Sequence, residues 1–202
     1  MVFSSVTLHY LLPNYGGFGG PIRMFLDDAE IKYEYNVIER EQWQSVKAKY
    51  IEEGLPFDCV PMIELDGKRY SGTQPILRFL SKKLGKYVPA DADLEQYVDV
   101  TADYAGDWAR GVFKAMFSPP NGIDEYKNNG EREKYFKRFD RIYGVHKGPF
   151  AAGEEISYAD FIVYVVMNLE ANKDAIKDYP NLAAFAEAIK SRPALQEAVK
   201  QL

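Results

Sequence analysis

Apolar and polar residues alternate at Val6, Leu8 and Tyr10, which predicts a strand over Val6–Leu12 with those three side chains on one face and Pro13 at its end. Asn14–Gly20 is glycine-rich and reads as a loop. Pro21 suits the first turn of a helix whose buried stripe is Ile22, Phe25, Leu26 and Ala29. Lys32–Ile38 alternates aromatic with polar residues and predicts a second strand, and Glu41–Tyr50 a short helix. Met62–Leu65 is a short apolar run, followed by Asp66-Gly67, a strong two-residue hairpin signal. Thr73 then opens a helix to Leu84. The order β-α-β-α-β-β-α predicts a sheet covered by helices.

Past Leu84 the period changes. Gly85–Asp93 carries proline and polar residues and reads as a linker, and no strand pattern follows it. Leu94–Phe117 is a long helical stretch that Pro119-Pro120-Asn121-Gly122 stops, and Glu125–Val145 predicts a second single helix. Ser157-Tyr158-Ala159-Asp160 is a capping box in its aspartate form, ahead of the run Phe161–Leu169. A segment apolar almost all round belongs at the centre of a bundle. Tyr179-Pro180-Asn181-Leu182 starts another helix, and Ser191-Arg192-Pro193 breaks it before a last one. The expected organisation is residues 1–84 as one domain, 85–93 as linker and 94–202 as an all-helical domain.

Composition narrows the function class. The 202 residues are 47% hydrophobic, enough for a substantial core. A net charge of −5 and a pI near 5.2 disfavour a general nucleic-acid binder. There is no 18-residue apolar run, so no membrane span is expected, and no basic segment leads into a long apolar run at the N-terminus, so no secretory leader is expected. Cys59 is the single cysteine, which excludes an internal disulfide and a CxxC redox pair. A soluble cytoplasmic protein is the expectation. His9 and His146 are isolated, so no metal site is expected. The loop Gly16–Gly20 lacks GxGxxG spacing and a following Lys-Ser or Lys-Thr, and is not read as nucleotide-binding.

The chemistry concentrates around Asp58–Gly67 and Ser71–Leu80. A proline at the start of a strand cannot donate to a ladder, which leaves Val60 free to offer its N–H and C=O to an extended peptide. The helix N-terminus at Thr73 suits a carboxylate. A small acidic peptide held at both points is what a glutathione site requires. These motifs resemble the glutathione-binding half of the cytosolic glutathione transferases, closest to the tyrosine-type mu, pi and sigma classes. The resemblance spans nearly the whole chain, strongest at 3–10, 21–50, 60–85 and 150–200 and weak at 110–150. Ile156–Phe161 and Tyr179–Leu182 are similar to the starts of that family's sixth and seventh helices. It implies an α+β, thioredoxin-like N-terminal domain with a mixed four-stranded sheet, an all-α C-terminal bundle, and a cis bond before Pro61.

Residue by residue, the resemblance implies that Tyr10, at the end of the first strand, donates to the glutathione sulfur. At a thiol pKa near 8.5 only roughly 3% of glutathione is thiolate at pH 7, and a shift of about two units is worth roughly 2.7 kcal/mol. The loop from Tyr10 to Pro21 is about two residues longer than in those classes, so Tyr15 competes with Tyr10. Ser4 and Ser5 precede the strand, which argues against a serine-type mechanism. Trp43 and Lys47, four apart on one helix face, match the pair that holds the glycyl carboxylate, and both are pure donors. Val60 and Pro61 take the peptide backbone. Thr73 receives the γ-glutamyl carboxylate, with Gly72 where the family has glutamine. Asp107, in the series Asp99, Asp103, Asp107, matches the aspartate that reaches a neighbouring subunit's glutathione, so a homodimer is implied. Tyr15, Phe18, Phe113, Met116 and Phe117 are the expected apolar wall for the second substrate. Taken alone, these residues read as a strand aromatic, core aromatics, a helix N-cap and a solvated charged face.

The implied function is conjugation of the glutathione thiolate to hydrophobic electrophiles, with glutathione as substrate and no metal. Two alternatives stay open: a non-catalytic structural or protein-interaction module of the same fold, and a glutathione-dependent isomerase, whose metal-binding acidic cluster is only partly matched because Gly106 stands at one of its acidic positions.

Overall fold

Val6, Leu8 and Tyr10 do share a face: all three are buried, while Thr7 and His9 between them are half-buried on the other side. They form β1, Val6–Tyr10, in a computed structural model that describes residues 3–118, 120–169 and 175–202. The predicted strand stops two residues early, with Leu12 37% exposed in the following loop. The first half continues through α1 (Gly20–Asp28), β2 (Glu34–Val37), α2 (Trp43–Glu52), β3 (Met62–Leu65), β4 (Lys68–Ser71) and α3 (Thr73–Leu84). The sheet runs β2-β1-β3-β4. β1 pairs parallel with β2 and antiparallel with β3, and β3 pairs antiparallel with β4. This is the mixed four-stranded, thioredoxin-like half that the sequence implied. The hairpin turns on Asp66 and Gly67, at φ 50° and 79°. Both angles are left-handed, which aspartate and glycine tolerate best. Asp66 also accepts the N–H groups of Ser4 (2.8 Å) and Ser5 (2.9 Å), tying the N-terminal segment to the turn.

The second half is helical: α4 (Ala92–Met116), α5 (Gly122–Asn128), α6 (Glu131–Tyr143), α7 (Tyr158–Leu169), α8 (Pro180–Lys190), a 3-10 turn (Pro193–Leu195) and α9 (Gln196–Gln201). Asp91 caps α4 by accepting the Leu94 N–H at 2.9 Å. The single helix expected over Glu125–Val145 is instead two. Gly130 adopts φ +87°, a left-handed step that ends α5 and starts α6. Pro119, part of the expected stop after α4, lies outside the described residues.

α7 is the central strut. Residues 158–167 are buried, and the helix packs against α4 on one side and α1 on the other. Asp160 is fully buried at its start. It accepts Ser157 N–H and Ser157 O–H, both at 2.7 Å, Tyr143 O–H at 2.7 Å and Ala151 N–H at 3.0 Å. Four donors offset the cost of burying the carboxyl, whose pKa burial pushes up. Two polar clusters lock the halves together. Arg192 reaches α1 with a bidentate pair to Asp28 at 2.5 and 2.6 Å, and Tyr87 donates to the same carboxylate at 3.0 Å. Arg78 of α3 pairs with Asp99 of α4 at 3.1 Å, and Tyr158 donates to Asp99.

Candidate active site

The loop after β1 folds back over that strand's last residue. Tyr10 is 6% exposed there. Its hydroxyl accepts the Phe18 N–H at 2.7 Å. The approach is so close that a Cβ on Gly17 would lie 2.5 Å from the Tyr10 hydroxyl, and one on Gly19 2.5 Å from its ring. Burial pushes the Tyr10 pKa up, against the N–H groups of Phe18 and Gly19, which pull it down. The phenol is thus protonated at neutral pH, and its one proton is free to be donated.

The same loop residue reaches α3. Thr73, first residue of that helix, donates its hydroxyl to the Phe18 carbonyl at 2.7 Å. Gly72 before it sits at φ +89°. The Val60–Pro61 bond is cis, and Pro61 C=O accepts the Gly72 N–H at 3.1 Å. The β1–β3 ladder ends at His9 and Met62, so Val60 lies beyond its last pair.

Gly17, Phe18, Val60, Pro61 and Thr73 line one side of a cleft of about 370 Å³. Its other side is Gly106, Ala109 and Arg110 of α4 with Ile162, Val165, Val166 and Leu169 of α7. The cleft therefore lies between the halves, with an apolar wall and, among the described residues, one charged lining side chain, Arg110. A larger open groove of about 850 Å³ runs along the linker over Asp28 and Arg192, but none of the predicted site residues lines it.

The other predicted residues spread around this centre. Trp43 and Lys47 start α2, both half-buried and outside the cleft lining. Lys47 pairs with Asp58 at 3.1 Å, which holds the Asp58 carboxyl below its ordinary value. Asp107 is on the exposed face of α4, paired with Arg110 at 2.5 Å. Phe18 packs its ring on Phe113 at 4.9 Å, and Phe113 lies 6.3 Å from Phe117. Met116 and Phe117 are 46% and 71% exposed. Tyr15 stands apart: it is 4% exposed, donates to Asp27 at 2.6 Å and carries the Arg23 guanidinium over its ring at 3.9 Å. Burial and the Asp27 carboxylate push its pKa well up.

Sequence reasoning offered Gln74 as a stand-in for the glutamine missing at Gly72, and missed both its bond to α4 and the α7 wall. Gln74 crosses to α4 and donates to the Ala102 carbonyl at 2.6 Å. Its amide fills the space a Cβ on Gly106 would need, 2.4 Å from that position. A glycine in the middle of a long helix was the available signal. Ile162, Val165, Val166 and Leu169 sit in a run apolar all round, which gives no sign of which side faces a cleft.

Residues 106–201 match the family model described as "Glutathione S-transferase, C-terminal domain". Rat glutathione S-transferase alpha-4 is 29% identical over 185 residues, covering 87% of this chain and 80% of the rat protein. The pi-class glutathione S-transferase of Onchocerca volvulus superposes with a TM-score of 0.85 at 21% identity, over 97% of this chain and 92% of that one. Prostaglandin synthase D of Nilaparvata lugens superposes with a TM-score of 0.82 at 24% identity, over 98% of both chains. At those identities the two superpositions are likenesses of fold.

Proposed function

We propose that the chain is a glutathione S-transferase, a reading supported by the family-model match over residues 106–201 and the 29%-identical rat relative, and that Tyr10 activates the glutathione thiol in the cleft beside Thr73. The observation that carries this reading is that Tyr10 and Thr73 both bond the backbone of one residue, Phe18. A sulfur donor and a carboxylate receiver therefore lie one residue's width apart at the cleft. In this reading the tripeptide runs along Val60 and Pro61. Its γ-glutamyl carboxylate takes the Thr73 hydroxyl and the α3 N-terminus, and Trp43 and Lys47 receive the glycyl carboxylate. The Tyr10 O–H donates to the sulfur and stabilises the thiolate, and the thiol proton goes to solvent. With an aryl halide, the S–C bond forms, the C–halogen bond breaks and halide leaves.

The electrophile fits against the apolar wall of α7, next to the space that the Phe18 ring fills on Phe113; of the other expected wall residues, Met116 and Phe117 stand at the exposed end of α4 and Tyr15 is held on Asp27. The family supports a cytoplasmic homodimer in which Asp107 exchanges Arg110 for the partner's glutathione. Phe57, 64% exposed, with Val100 and Tyr104 at 38% and 39%, supplies apolar surface for such pairing. The isomerase reading loses ground at Gly106, where the Gln74 amide occupies the space of an acidic side chain. Retention on immobilised glutathione followed by an aryl-halide conjugation assay tests the reading. Retention with turnover is expected; retention without turnover would favour a binding module.

A further inference from the structure

We propose that Phe18 is a self-ligand of the glutathione site, a strap that the tripeptide must displace and whose release opens the electrophile site. The inference rests on the reading of Tyr10 and Thr73 given above.

Phe18 engages three groups at once. Its N–H bonds the Tyr10 hydroxyl, its C=O accepts from the Thr73 hydroxyl, and its ring lies on Phe113 at 4.9 Å. Gly17 and Phe18 line the cleft, whereas Tyr10 lies behind them at 6% exposure. A sulfur in the cleft meets the phenol only when this loop shifts. The two glycines flanking Phe18 are what let the loop sit so low, since a Cβ at either position would collide with Tyr10.

The exchange is acceptor for acceptor. Thr73 donates to a neutral carbonyl in the strapped state and to a carboxylate when glutathione is bound. Hydrogen bonds to an ionised acceptor are roughly twice as strong, which favours the swap. Because Phe18 also forms part of the apolar wall, its displacement couples the two halves of the site. Glutathione binds first, and the electrophile enters the space the ring leaves. While the strap is closed, the apparent glutathione affinity is reduced by the fraction of molecules that are open.

Phe18→Ala keeps the N–H and C=O but loses the ring that anchors the loop on Phe113. A residue that served only as packing would weaken glutathione binding when truncated. A strap predicts the opposite: calorimetry should show glutathione binding about tenfold tighter to Phe18→Ala than to the parent protein. Hydrogen–deuterium exchange of the 11–20 segment supplies an independent readout on the unmutated protein. Exchange there should quicken when glutathione is added, as the Phe18 N–H leaves Tyr10. Glutathione that binds with equal or weaker affinity to the variant, and protects the segment in the parent, overturns the strap while leaving the site intact. No glutathione binding to the parent protein overturns the reading of the site itself.

Discussion

Tyr10 and Phe18, eight residues apart, are joined by a 2.7 Å hydrogen bond that folds the β1–α1 loop over the phenol. The bond runs from backbone to side chain, so almost any residue at position 18 could donate it. The specificity lies in the neighbours. Gly17 sits at φ +70°, and neither Gly17 nor Gly19 has room for a Cβ. The glycine-rich loop thus buries the phenol.

Gln74 and Gly106 provide a cycle in which two effects of similar size oppose each other. Gly106→Ala gains roughly 0.8–1 kcal/mol of helix propensity. It also expels the Gln74 amide, losing a bond to Ala102 worth about 0.5–1.5 kcal/mol. The single variant is expected within about 0.5 kcal/mol of the parent. In a Gln74→Ala background the same change stabilises by about 1 kcal/mol. Equal effects in both backgrounds, measured by urea unfolding, would show that the two residues are uncoupled.

Arg192→Met tests the lock between the halves. The Asp28 side chain is 2% exposed and its carboxylate depends on Arg192 for two hydrogen bonds. Removing the cation leaves a buried charge with Tyr87 as its one remaining partner among the described residues, at a cost of about 3–5 kcal/mol. Thermal denaturation should show a fall of roughly 2–4 °C per kcal/mol. A change under about 1 kcal/mol would place the pair among contacts of little weight.

His9 sets a pH dependence. Its Nε2 is buried without a partner among the described residues, and burial lowers its pKa from 6.5. Below pH 6.5 the unfolded chain therefore binds a proton that the folded state resists. This stability is fully present above pH 6.5 and falls as pH drops from 6.5 towards the lower folded value. His9→Gln should flatten that part of the stability curve; an unchanged slope assigns the acid sensitivity elsewhere.

The fold was legible where the local pattern and the tertiary environment agree. β1 alternates because one face meets the core, Asp66-Gly67 supplies the left-handed angles of its turn, and Thr73–Leu84 forms with the predicted bounds. The link between Ser157 and Asp160 was legible too, but not the Tyr143 and Ala151 donors from outside the motif. Gly130 broke the helix expected over Glu125–Val145, a case where one left-handed residue outweighs a continuous polar–apolar pattern. In the site, Tyr10 and Thr73 could be named from the chain. That Phe18 joins them, eight residues from Tyr10 and 55 from Thr73, that Gln74 needs Gly106, and that α7 walls the cleft all depend on tertiary contacts, which no local period encodes.

The most direct measurement is a titration of the thiol of bound glutathione, followed by the ultraviolet absorbance of the thiolate. With Tyr10 donating to the sulfur, the bound thiol titrates below its ordinary value near 8.5, on the order of two units lower, and Tyr10→Phe restores it. Activity limited by the thiolate should shift to higher pH in the variant by the same amount. A bound thiol that titrates alike in the parent and in Tyr10→Phe would contradict the account.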